Sequence, residues 1–180
     1  MRSLLRFIFM VVTFFGMSSA FASLIIPVYL TSGYGKTNIG TVKADDTIYG
    51  LMLTPNLKGL PPGVHGFHIH DLGSCGNHGM SAGGHLDPDH NKQHAGPFNG
   101  TGHLGDLPVL IVDAKGNATL PVVAPRLKLD NIKGHSLMIH EGGDNYSDKP
   151  EQLGGGGMRI ACGVIPYYCC LLYTSDAADG

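Results

Sequence analysis

The chain has 180 residues and a formal charge of −2, with 43% hydrophobic and only 14% charged residues. That is the length of one domain with appendages, apolar enough to bury a core. It lacks the basic excess of a nucleic-acid-binding surface, and its 27 glycines and 11 prolines suit short strands and loops better than long helices.

Residues 1–22 predict a secretory signal peptide. Arg2 and Arg6 form a basic start, residues 7–17 an apolar stretch, and Ala20-Phe21-Ala22 an A-x-A cleavage site. Cleavage after Ala22 would start the mature chain at Ser23. It would leave no stable membrane anchor, since a spanning helix needs about 20 clearly apolar residues. No cysteine precedes Cys75, which excludes a lipid-anchored cysteine at the cleavage site. In an oxidising compartment Cys75 and Cys162 can form a disulfide. Cys169 and Cys170 are adjacent and make poor partners for each other.

Strand-like runs then recur. Residues 24–30 come first, and Pro27 points to an edge strand. Residues 39–43 and 47–53 follow, joined at Asp45-Asp46, and residues 64–70 come next. Residues 71–105 show neither helical nor strand period. A loop of that length is functional or disordered, and its Gly, His, Asn and Asp content argues for a functional loop ordered by metal. Strand patterns resume at 107–112, 118–123 and 136–140. A second long loop, 141–157, contains the glycine run 154–157, and the last strand covers 158–165. Eight or so short strands with two long functional loops predict one all-β antiparallel sandwich or barrel over residues 23–166. Residues 167–180 match no pattern and read as a tail from read-through or assembly.

All ten histidines lie between positions 65 and 140. His68 and His70 are two apart in a strand-like run, so both rings face one side. His85, His94, His103 and Asp106 offer three imidazoles and a carboxylate, a tetrahedral set that suits zinc. The all-imidazole surroundings of His68 and His70 suit copper, and His140 could complete that set. His65 reads as a structural hydrogen-bonding residue. His78, His90 and His135 read as exposed, Asp87 and Asp89 as turn residues, and Lys92 as a candidate for steering an anion.

Five motifs occur in order: Gly66-Phe67-His68-Ile69-His70, Gly83-Gly84-His85-Leu86-Asp87-Pro88, His103-Leu104-Gly105-Asp106-Leu107, Met138-Ile139-His140-Glu141, and residues 157–165 from Gly157-Met158-Arg159 onward. Together they resemble the copper/zinc superoxide dismutases over about residues 24–166. Gly142-Gly143-Asp144-Asn145 and the four-glycine run are similar to the bacterial, exported branch. The resemblance implies an eight-stranded Greek-key sandwich or barrel, of the immunoglobulin-like architecture to which this family's fold is assigned. It implies one copper and one zinc ion per chain, superoxide as substrate and a periplasmic location. Exported relatives include dimers and monomers, so a homodimer stays open.

The same resemblance implies copper at His68, His70, His85 and His140, and zinc at His85, His94, His103 and Asp106. His85 would bridge the two as an imidazolate. Asp144 would orient a copper histidine and a zinc histidine, and Cys75 would pair with Cys162. Arg159 would stand beside copper. A guanidinium keeps its charge at any relevant pH and offers several donors to a small anion, which suits a residue that attracts and orients superoxide. Arg159 and His85 are thus the candidate catalytic residues. An exported copper/zinc buffer on the same sandwich is the rival reading; such a protein would be expected to lack ligands or the arginine, and this chain lacks none.

Overall fold

Strand β1 (Ser23–Leu30) buries Leu24, Ile26 and Val28 while Ile25 stays exposed, the two-residue period of a strand with one face in the core. The same alternation places Val42 and Ala44 of β2 (Asn38–Thr47) and Leu51, Leu53 and Leu57 of β3 (Gly50–Lys58) in that core. The computed structural model describes residues 23–32 and 37–167. The predicted signal peptide (1–22), Cys169, Cys170 and the tail from 168 onward lie outside the described residues.

The remaining strands are β4 (Gly63–His65), β5 (Phe67–His70), β6 (Leu110–Val112), β7 (Asn117–Ala118), β8 (Val122–Ala124), β9 (Ser136–His140) and β10 (Arg159–Val164). They form an antiparallel eight-stranded sheet in the order β5-β9-β10-β1-β2-β3-β7, with β8 also on β3, and a two-stranded sheet of β4 and β6. Long connections return β10 beside β1 and β9 beside β5, as in a Greek key. A short helix, α1 (Leu129–Ile132), seats Leu129 and Ile132 in the core. The all-β antiparallel expectation therefore stands, and several local readings are corrected.

Pro27 does not mark an edge. β1 lies inside the sheet, between β2 and β10. It tolerates proline because its pairing with β10 is registered only at Tyr29 and Leu30, so the ladder on that side does not extend to Pro27. The β2–β3 turn falls at Ile48-Tyr49, not at Asp45-Asp46. Thr47 opposes Gly50, and the Thr47 hydroxyl closes the turn onto Gly50 O at 2.8 Å. Gly50 has φ 123° and faces the Ala124 carbonyl, a position closed to any side chain. Asp46 instead accepts the Leu129 amide at 2.9 Å, tying α1 to the sheet. Finally, the run 64–70 is two strands in different sheets, broken at Gly66.

The two long connections, 71–109 and 141–158, carry little regular structure: a single-turn 3-10 helix at Met80–Ala82 and another at Gln152–Gly155. Both fold back over the β5–β9 end of the sheet, where backbone bonds anchor them. Ile69 accepts the Leu86 amide at 2.8 Å and donates to Gly105 O at 2.9 Å, and Gly105 donates to Leu86 O at 2.9 Å. One long loop thus touches β5 at two separated points, beside His85 and beside Asp106.

Candidate metal centre

His68 and His70 leave β5 on one face and are fully buried. His140, at the end of β9, is fixed by its amide on Gly66 O at 2.9 Å. The loop contacts with β5 bring His85 opposite His70, and Asp106 opposite His68. Gly105 is required for this approach, since a Cβ there would lie 2.2 Å from the Ile69 carbonyl.

Two donor clusters result. His68, His70, His85 and His140 each offer one donor atom, all within 4.8 Å of one another; so do His85, His94, His103 and Asp106. His85 belongs to both. Every member is buried. A third grouping, His68, His94 and Asp144, is accounted for by hydrogen bonds. Asp144 accepts His68 Nε2 at 2.8 Å on one oxygen and His94 Nε2 at 2.7 Å on the other.

Hydrogen bonds also decide which ring nitrogen faces each cluster. His70 Nδ1 donates to Gly83 O at 3.0 Å, and His140 Nδ1 to Gly157 O at 3.3 Å. Their Nε2 atoms then meet at 3.4 Å. His68, with Nε2 on Asp144, turns Nδ1 inward. Among the described residues, three buried side-chain nitrogens have no hydrogen-bond partner: His68 Nδ1, His85 Nε2 and His103 Nδ1. The last lies 3.4 Å from Asp106 Oδ1, in ion-pair range but without hydrogen-bond geometry. Buried polar atoms are rarely left unpaired. Here the orphans all point into the clusters, so the residues present fit two cations.

Burial dominates the electrostatics. It lowers His68 well below its usual value, takes His70 down to about 2 and His140 to about 4, with the neighbouring His85 adding to each fall. These rings stay neutral, as metal ligands must. Burial also penalises charge at His94, but bonds to Asp106 and Asp144 outweigh it and raise His94 to about 9. Burial alone would raise both carboxylates. The ion-pair contact with His103 and hydrogen bonds from His85 and His94 hold Asp106 far below the usual range, and hydrogen bonds from His68 and His94 hold Asp144 below it.

Arg159 opens β10 opposite His140. Its guanidinium donates to the carbonyls of Gly79 and Gly83, each at 2.7 Å. Both carbonyls belong to the loop that Cys75 ties to Cys162; the disulfide is present, with Cα atoms 5.7 Å apart and a sequence separation of 87.

Similarity to known proteins agrees with this arrangement. The family model for copper/zinc superoxide dismutase matches residues 37–165. The chain belongs to the copper/zinc superoxide dismutase family. It is 59% identical over 145 residues to superoxide dismutase 1 of Salmonella typhimurium, covering 76% of this chain and 81% of that one. It is 56% identical over 140 residues to the enzyme of Actinobacillus pleuropneumoniae, covering 73% and 74%. Among solved structures, the enzyme of Brucella abortus superposes with a TM-score of 0.75 at 46% identity, covering 79% of this chain and 99% of its own. The monomeric copper, zinc enzyme of Salmonella enterica gives 0.69 at 55%, covering 80% and 99%. Superoxide is the substrate of this family, and copper and zinc are its metals.

The structure brings together all the residues that the sequence singled out for the centre. His65 is buried as expected, with Nδ1 on His140 O at 2.7 Å and Nε2 on Pro61 O at 2.8 Å. His78 and His90 are exposed, but His135 is half-buried with its Nδ1 on Asp71 O at 2.6 Å, a correction to the expectation of exposure. Asp87 does cap a turn, accepting the Asn91 and Lys92 amides at 3.0 and 2.9 Å.

Sequence reasoning missed three supporting residues. Arg126 donates to the carbonyls of Gly102 and His103, at 2.9 and 3.0 Å, and so fixes the backbone of a cluster histidine. Asp148 accepts the His94 amide at 2.9 Å. Tyr146, at φ 59°, donates its amide to Asp144 Oδ1 at 2.7 Å and accepts the Val109 amide on its hydroxyl at 3.1 Å. Only the sequence Asp144-Asn145-Tyr146-Ser147, a turn-rich stretch, hinted at any of these.

Proposed function

We propose that the two clusters divide by metal, with copper at His68, His70, His85 and His140 and zinc at His85, His94, His103 and Asp106, one ion of each per chain. The all-imidazole set suits copper, and the set with a carboxylate suits zinc. The three orphaned ring nitrogens carry this reading, because His85 Nε2 and His68 Nδ1 face the first cluster and His103 Nδ1 the second. His85 would serve both ions through its two nitrogens.

The family reaction converts two superoxide ions and two protons into oxygen and hydrogen peroxide. Copper, when bound, supplies the one-electron couple that this exchange needs, while zinc has no redox chemistry of its own. The chain's residues supply the rest. Arg159 presents a permanent positive charge beside His70 and His140, where it attracts the anion and orients it through N–H donors. His85 Nε2 is a buried nitrogen without a hydrogen-bond partner, on a ring whose pKa burial lowers; it can hold a proton briefly and release it readily to the second superoxide. Asp106 Oδ1, near His85 Nδ1 at 3.0 Å, keeps that ring in place, and Asp144 keeps the rings of His68 and His94 in register.

The assignment is tested by metal analysis and dismutation assay of the loaded mature chain. His140→Ala should lose copper and activity but keep zinc; Asp106→Ala should lose zinc first. Loss of both metals in equal measure from both variants would contradict the division.

We also propose that residues 1–22 direct export, that residues 23–166 form the mature domain in the periplasm, and that residues 167–180 are dispensable. The bacterial relatives and the intact disulfide support export. N-terminal sequencing of the exported protein should begin at Ser23.

A further inference from the structure

A cavity of ≈ 490 Å³ is lined by Arg159 together with residues that include Thr31, His78, Met80, Met158 and Ile160. Three of these side chains are soft or intermediate metal donors, and no carboxylate lines the cavity. Hydrogen bonds bring them together from separate segments. His78 Nδ1 donates to the Thr31 carbonyl at 3.0 Å. The Thr31 amide donates to Ile160 O at 3.0 Å, and its hydroxyl to Arg159 O. Arg159 reaches back to Gly79 O at 2.7 Å. The disulfide loop that carries His78 and Met80 is thereby pinned to the start of β10, just after Met158.

His78 is prepared as a ligand. Its Nδ1 bond to a carbonyl makes that nitrogen the protonated one and leaves Nε2 with a free lone pair, the arrangement usual for a metal-bound histidine. Its backbone sits at φ 53°, an uncommon conformation for a non-glycine residue and one that concentrates at functional positions. Met80 and Met158 are 59% and 66% exposed, so neither flexible thioether is committed to the core, and both line the same cavity as His78. Two thioethers and an imidazole form a neutral, soft set that selects monovalent copper over zinc and over hard cations. The nearby Arg159 charge is drawn to the Gly79 and Gly83 carbonyls, and a singly charged ion is repelled by it less than a divalent one.

We propose that His78, Met80 and Met158 form an accessory site for copper(I), where the ion pauses before entering the His68–His70–His85–His140 cluster. The proposal rests on the copper assignment of that cluster. The transfer is an exchange of ligands, and no electron moves.

The test uses the reduced, copper- and zinc-loaded protein, dialysed anaerobically against copper(I) buffered with bicinchoninate. The parent protein should take up one further copper per chain. A Met80→Leu/Met158→Leu variant, which keeps the His78–Thr31 bond, should bind it more weakly by on the order of tenfold or more, with an unchanged dismutation rate. No further copper, or the same further copper in the variant, overturns the site. In a second arm, copper(I) is added to zinc-loaded, copper-free protein; the variant should load several-fold more slowly to the same final content. Equal loading rates overturn the waiting role. Failure of both proteins to fill the histidine cluster would overturn the copper assignment and this proposal with it.

Discussion

Arg159 and His70 donate to the same oxygen, the carbonyl of Gly83, at 2.7 and 3.0 Å. One loop carbonyl therefore sets both the guanidinium proposed to meet superoxide and the orientation of a ring in the all-imidazole cluster. The second guanidinium bond, to Gly79 O, fixes the rotation of the fork.

Arg159→Ala should leave copper content intact, because His70 keeps Gly83 O to itself. It should lower kcat/KM at low salt by on the order of tenfold or more, the range expected when a steering charge beside a site is lost. The deficit should shrink as ionic strength rises, since salt screens the parent's advantage. Dismutation rates across a salt series measure this; equal rates at low salt would refute the role given to Arg159.

Asp144 is the mechanical link between the halves of the centre. Asp144→Asn keeps the shape but replaces one acceptor oxygen with an NH2 group, which cannot accept from His68 or His94. Zinc affinity should fall about 10–100-fold, as for other partners of metal-bound histidines. Competition with a chromophoric chelator gives the number. Unchanged affinity would mean that the packing of the loop alone holds His94.

Removing the disulfide by Cys75→Ser and Cys162→Ser frees a loop closed across a sequence separation of 87. The chain-entropy argument gives a loss of about 4–5 kcal/mol. The double variant should unfold at lower urea in the metal-free state. Because the freed loop carries Gly79 and Gly83, activity should fall further than copper content does.

Stability of the metal-free protein should peak near pH 6.5. His68, His70 and His140 have lowered folded values against about 6.5 unfolded. The unfolded state then binds more protons below that pH, and stability is lost as pH falls. Asp106 and Asp144, with depressed values, add to the acid-side loss below about pH 4. His94, raised to about 9, acts the other way. Its contribution is complete below about 6.5 and is lost as pH rises through 9. Several groups act on the acid side and one on the alkaline side, so the acid slope should be steeper. Urea unfolding in the presence of a chelator, at a series of pH values, checks the shape; stability that rises from pH 7 to pH 5 would contradict it.

Much of the fold was legible in the two-residue apolar period of the strands, and the errors have local causes. Pro27 suggested an edge because a proline lacks one ladder donor. Whether a neighbour needs that donor depends on where β10 ends its register, which lies more than 130 residues away in the chain. Asp45-Asp46 suggested a turn by composition, but Gly50 and the Thr47 hydroxyl supply the turn, and α1 takes up Asp46. Arg126, Asp148 and Tyr146 were invisible because they act on backbone groups of remote segments, and no residue type announces such a bond.

The sequence by itself determined the donor inventory: six histidines and Asp106 in ordered motifs, an arginine beside the last strand, and two cysteines able to pair. Those are matters of residue chemistry and spacing. Only the tertiary structure decided which nitrogen of each ring faces inward. That choice follows from the partner each opposite nitrogen finds, Gly83 for His70, Gly157 for His140 and Asp144 for His68. It likewise decided that His85 lies in both clusters, because backbone contacts dock one loop against β5 twice and leave a single imidazole between the two sets of donors.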